Sequence, residues 1–136
     1  MGIVNEFKEF NAELKNRFWS VSSISSKNEL IVSLWWDDPF LIHNPTEEKY
    51  IYISNVERWS GLGNKEFREN LDKAADANLK IRAVATELKN KTDIEFIKQG
   101  KDASKYPKKF TARKDLIGVL TKWDGVNFEF EFSLDQ

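Results

Sequence analysis

Cysteine is absent from the 136 residues. Its absence removes disulfides, thiolate metal sites and a cysteine nucleophile, and it suits a reducing compartment, so a cytoplasmic location is expected. Histidine occurs once, as His43. Serine–histidine catalysis would hang on that single loop residue, and no Gly-x-Ser-x-Gly elbow is present. Zinc at His43 would have to be completed by carboxylates alone, which zinc seldom accepts. No apolar run approaches the ~20 residues of a membrane-spanning helix. The start, MGIVNEFKEF, is too polar for a secretory signal, and Glu6 stands where N-myristoylation needs serine or threonine. No membrane partner, cofactor or metal is expected.

Net charge is also small, at −1, so bulk charge names no partner. Its distribution says more. Residues 1–72 hold 8 basic and 12 acidic side chains; residues 73–136 hold 13 and 10. Between positions 98 and 114 seven basic residues stand against one acid, Asp102. Aromatics are plentiful, with 10 Phe, 5 Trp and 3 Tyr. Tryptophan is costly to expose and awkward to bury whole, so each one raises the question of its role.

The chain is organised around residues 59–88. Gly61 and Gly63 mark a tight turn. Asn64 is placed to cap a helix, with Glu66 and Glu69 near its positive end. Phe67, Leu71, Ala74 and Ala75 form an apolar stripe, and a strand follows over Ile81–Leu88. Ahead of this unit, Ile3, Phe7, Phe10, Leu14 and Phe18 predict an amphipathic helix over 3–18. Strands are predicted over 19–26, 29–36 and 49–55. Residues 37–49, with Pro39 and Asn44-Pro45, read as a loop. After the unit, Asp93–Gln99 reads as a short strand or ragged helix, and residues 100–112 as a basic loop. Strands over 115–123 and 126–134 are joined by Asp124-Gly125, a strong hairpin signal. The expected fold is one compact α+β domain spanning 1–136. Its sheet is curved and largely antiparallel, or a small open barrel, of about six to seven strands with two amphipathic helices.

Four groups of residues are candidates for function. The turn before the central helix brings Arg58, Lys65 and Arg68 to free helix amides, which attract anions. Glu66 stands where a dinucleotide fingerprint needs its last glycine. The bland alternative is a tight turn with a helix cap. The basic stretch, with Lys105, Lys108, Lys109 and Arg113, interleaves Tyr106 and Phe110; lysines neutralise phosphates and aromatics stack on bases. Its bland alternative is a solvated lysine-rich loop. Trp35 and Trp36 must point to opposite sheet faces, so Trp36, with Trp59 and Tyr106, is a candidate wall for a flat ring, including a flipped or modified base. Otherwise these rings are simply core. Finally, Asp37 or Asp38 with Glu47, Glu48 and Lys49 has the outline of a Mg²⁺-dependent nuclease site.

These features predict a small non-catalytic nucleic-acid-binding domain. Two alternatives stand beside it. One is a protein-interaction or inhibitor domain using the apolar 37–46 loop, whose flanking acids suit a basic partner. The other is a nuclease using Asp38, Glu47 and Lys49, whose carboxylates would have to converge on one ion.

Overall fold

In the computed structural model the described residues are 2–16, 19–36, 41–90, 92, 95 and 107–135. Elements follow in the order α1 (Ile3–Lys8), β1 (Ser22–Ile24), β2 (Glu29–Trp35), β3 (Leu41–Asn44) and β4 (Lys49–Asn55). A 3₁₀ turn (Val56–Arg58) leads to α2 (Leu62–Ala77), β5 (Lys80–Leu88), β6 (Lys108–Ala112), β7 (Leu116–Trp123) and β8 (Asn127–Leu134). The eight strands form one mixed sheet in the order β1-β2-β5-β7-β8-β4-β3, with β6 paired to β5. Pairing is antiparallel except between β2 and β5. The fold is α+β with a curved, open sheet that does not close into a barrel.

Alternation sorts the strands into two faces. The inner face carries Leu30, Val32, Ile81, Ala83, Tyr52, Phe128, Phe130 and Phe132, all buried, and α2 covers it with Phe67, Leu71 and Ala74. Each such fully buried Leu or Phe stabilises the fold by about 1.5–3 kcal/mol. On the outer face Ile31 and Val84 are buried under Phe7, Phe10 and Ala12. Burial on both sides explains why the pattern over 81–88 alternates so poorly: β5 is a central strand with no solvent face.

Several expected elements change. The first helix ends at Lys8, not Phe18. The amides of Phe10 and Ala12 both turn back to the Phe7 carbonyl, and Asn11 takes a left-handed φ of 60°. The residues that suggested helical spacing are apolar because they cover the sheet, not because they continue the helix. Phe18 lies outside the described residues. The first strand shrinks to three residues because serines turn the chain around it. Ser20 Oγ accepts from the Asn16 amide, and Ser25 Oγ accepts from the amides of Lys27 and Glu29.

Asn64 is not the cap of α2. That helix starts three residues earlier, with Gly61 at its N-cap (φ 112°), no side-chain cap and no acid in its first turn. Asn64 is buried and donates through Nδ2 to the Val56 carbonyl at 2.7 Å. Gly63 permits this start, because a Cβ there would collide with the Trp19 carbonyl. The expected 37–49 loop contains β3, an eighth strand beyond the expected six to seven. The end of the basic stretch is likewise a strand, β6. The segment expected over Asp93–Gln99 lies almost wholly outside the described residues.

One irregularity shapes the end of the sheet near Arg113. Val84 of β5 opposes Ala112, while Ile81 opposes Gly118. Three steps along β5 therefore face six along the other chain, and Arg113, Lys114 and Asp115 form a corner between β6 and β7. The Arg113 amide holds that corner by donating to the Ala83 carbonyl at 2.9 Å.

Candidate functional site

At the C-terminal end of β2 the inner face ends in a half-buried rim of flat side chains, the mouth of the sheet. Trp36 continues the strand by one residue, its amide donating to the Thr86 carbonyl at 2.9 Å. Its ring lies 5.4 Å from Tyr50 of β4 and 5.9 Å from Phe132 of β8. The Arg113 guanidinium sits 5.2 Å over the Trp36 ring and 5.5 Å from Tyr50. His43, exposed on β3, stacks on Tyr50 at 4.3 Å with 11° between planes. The result is a triangular cluster of Tyr50, Trp36 and Arg113, with His43 stacked on Tyr50, held by three strand ends and a corner.

Arg113 is fixed as well as stacked. Its Nε and Nη2 donate to Asp115 at 3.0 and 2.9 Å, a bidentate pair that sets the plane of the guanidinium. The Asp115 hydrogen bonds raise its pKa against the opposing effect of burial, with a further contribution from the Tyr50 hydroxyl. Asp115 is correspondingly held below the usual carboxylate range, chiefly by Arg113. Lys109 is exposed on the side of β6 that alternation carries on to Arg113, opposite Glu87 in register. On the far rim Glu47 and Glu48 are exposed in the β3–β4 turn, whereas on the β6 side Lys109 and Arg113 stand beside Glu87 and Asp115, so the mouth is acidic on its β3 side and of mixed charge on its β6 side.

No protein-family model, curated protein or solved structure matches this chain.

Of the residues singled out in the sequence, the mouth gathers Trp36, Lys109 and Arg113. Lys108 is half-buried on the other side of β6, opposite Leu88. Arg58, Lys65, Arg68 and Trp59 belong to the other end of β4, and the strand between Tyr50 and Asn55 spans about 17 Å. There Arg58 donates through Nε to Ser54 Oγ at 3.0 Å and reaches the Tyr52 hydroxyl. Arg68 approaches the Val56 carbonyl at 3.5 Å, and Trp59 packs on Phe67 at 6.0 Å. Both arginines thus have partners within the fold, and the Trp59 ring is part of the core wall. Lys65 is exposed on α2. The expected single basic surface is therefore two separate groups. Lys105 and Tyr106 lie outside the described residues.

The sequence reading missed Tyr50, His43 and Asp115. Tyr50 was visible as one of the aromatic residues alternating along β4. His43 shares its face only because β3 is a strand, which the prolines around it disguised. The nuclease outline finds no support among the described residues. Lys49 Nζ pairs with Glu131 at 3.6 Å, Glu47 accepts from Asn44 Nδ2, and no three His, Asp or Glu side chains converge as metal ligands. Asp37 and Asp38 lie outside the described residues. No described helix is long and apolar enough to cross a membrane.

Proposed function

We propose that the protein is a non-catalytic binding domain for single-stranded nucleic acid, acting in the cytoplasm. The observation that carries this reading is the stack of exposed His43 on Tyr50, which is backed by Trp36 and Arg113; His43 offers a flat surface for another ring. A base laid on His43 extends a stack that the protein has already ordered, so little entropy is spent in arranging the receiving surface. Lys109 on the opposite rim suits a phosphate, and the acids at Glu47 and Glu48 repel the backbone from their own side. The strand is thereby oriented with its bases toward the aromatics and its phosphates along β6. With Arg113 already paired to Asp115, stacking contributes more than charge. Unpaired bases are favoured over a duplex, because a duplex hides its base faces. A modified or flipped base would use the same platform.

Fluorescence anisotropy with labelled single- and double-stranded oligonucleotides, across a salt series, tests this. Binding is expected for single strands, with a shallow salt slope of about −1 to −2, set by one to three phosphates. His43→Ala should weaken binding by about 1–3 kcal/mol and leave the slope unchanged. Lys109→Ala should make the slope shallower by about 0.7. Absence of binding to every single-stranded oligonucleotide at low salt would overturn the proposal.

A further inference from the structure

The two edges of the sheet are treated differently. At one end β1 is only three residues long, and the segment after α1 lies against it. The Ser26 amide donates to the Asn11 carbonyl at 3.2 Å, and Ser23 Oγ donates to the Glu13 carbonyl at 2.6 Å. At the other end β3 pairs with β4 on one side, and among the described residues nothing pairs with it on the other. Leu41–Asn44 contains no charged residue and no proline, the usual protections of a free edge.

Among the described residues the outer face beside that edge is also bare. Alternation turns Leu41 inward, where it packs against the core, and Ile42 outward. Ile42 is 50% exposed, Ile53 on β4 is 49% and Val119 on β7 is 38%. These are three of the five exposed large hydrophobic residues among those described, and all three stand on the outer face. Phe7 and Phe10 shield that face over β2 and β5, and among the described residues the cover does not extend to β4 and β3. On the β3 side of the patch acids predominate, while Lys80 and Lys122 lie on its β7 side. Glu47 and Glu48 are exposed in the β3–β4 turn, Glu129 opposes Ile53 on one side and Lys122 on the other, and Lys49 is already taken up by Glu131.

We propose that β3 and this outer isoleucine face dock an extended segment of a partner protein, one that alternates β-branched residues with lysine or arginine. The partner's backbone pairs with the free edge of β3, its β-branched side chains lie over Ile42, and its basic residues meet the acids of the β3–β4 turn. A second copy of this chain is a poor occupant, because a two-fold contact would bring an identical set of acids against the first. The isoleucine face lies on the opposite side of the sheet from the aromatic mouth, although the two share β3 and its turn.

The test uses the full chain, isotope-labelled, and a synthetic octapeptide of alternating valine and lysine, followed through amide and methyl resonances. Two control peptides replace lysine by glutamate or N-methylate alternate amides. Shifts are expected at the β3 amides and at the Ile42 and Ile53 methyls. Affinity should fall at least tenfold for the glutamate peptide and vanish for the N-methylated one. Ile42→Lys, or Ile53→Lys should the first variant fold poorly, should weaken binding at least tenfold while leaving the response of the mouth to oligonucleotide intact. The proposal is overturned by no shift at millimolar peptide, by shifts that map to Trp36 or α2, by indifference to N-methylation, or by self-association of the free chain through β3.

Discussion

At the scale of single residues, three positions bear strain or unusual ionisation that can be read out directly. Gly118 lies opposite Phe132, and a Cβ there would stand 2.5 Å from its ring. The ring is packed among Trp36 and Phe130 and has little room to yield. Gly118→Ala should therefore destabilise the protein by about 1–3 kcal/mol, as overpacked cores do, measured by urea unfolding. Tyr52 is 1% exposed, and burial pushes its hydroxyl from 10.0 up to about 12, against the opposing pull of Arg58. The folded chain thus keeps a proton that the unfolded chain releases near pH 10. The stability tied to it is intact below that pH and is lost as pH rises toward 12, about 3 kcal/mol in all. Between pH 9 and 11.5 the wild-type chain should lose more stability than Tyr52→Phe. Equal losses would show that the hydroxyl is solvated. Asp124 behaves in the opposite sense. The amides of Asn127 and Val126 hold its carboxylate down at about 2, so its share in the β7–β8 turn is present above the ordinary carboxylate pKa and is lost as pH falls toward 2. Acid unfolding of Asp124→Ala should accordingly begin from a lower stability and fall less steeply over that range.

At the scale of elements, helix ends and covering segments decide how well each piece holds. Asn78 closes α2 in a left-handed conformation, φ 52° and ψ 47°, and the Leu79 amide returns to the Ala74 carbonyl. Glycine adopts that conformation without the Cβ penalty, so Asn78→Gly should stabilise the chain by up to about 1 kcal/mol. A lower thermal midpoint for the variant would mean that the Asn78 side chain has an interaction glycine cannot replace. The six-residue α1 cannot persist by its own propensity. It stays because Phe7 is wholly buried over Ile31 and Val84. Phe7→Ala should cost about 3–5 kcal/mol in urea unfolding. Should the loss be under 1 kcal/mol, the cover over β2 and β5 would be dispensable.

At the scale of the whole molecule, one sheet joins everything. Arg82 on β5 illustrates the coupling: its Nε meets Glu29 of β2 at 3.1 Å, and its Nη1 meets the Leu116 carbonyl at 3.0 Å and Asp135 at 2.9 Å. One side chain thereby ties β5 to two neighbouring strands and the end of β8. Both helices pack onto the same sheet, so loss of either face exposes the other strands. Unfolding followed by tryptophan fluorescence and by far-ultraviolet circular dichroism should give coincident transitions. Separate midpoints would show that the β3–β4–β8 side unfolds on its own.

Much of the fold was legible locally. The β4 and β8 strands, the Asp124-Gly125 turn and the buried stripe of α2 follow from period, turn chemistry and propensity, which act between near neighbours in the chain. The basic stretch and the unusual number of tryptophans were equally visible. What period could not show was whether an apolar residue continues a helix or covers a sheet, as at Phe10 and Leu14. Nor could it show that a proline-bounded run such as Leu41–Asn44 becomes a strand, because β3 exists only through its pairing with β4. The site depended on tertiary structure most of all. Arg113 meets Trp36 across more than seventy residues of sequence, at a corner created by the mismatch between β6 and β7, while Arg58 and Arg68 are drawn to another end. Local chemistry chose the elements. The register of distant strands chose which side chains meet, because strand pairing and core burial reward contacts that no short stretch of sequence contains.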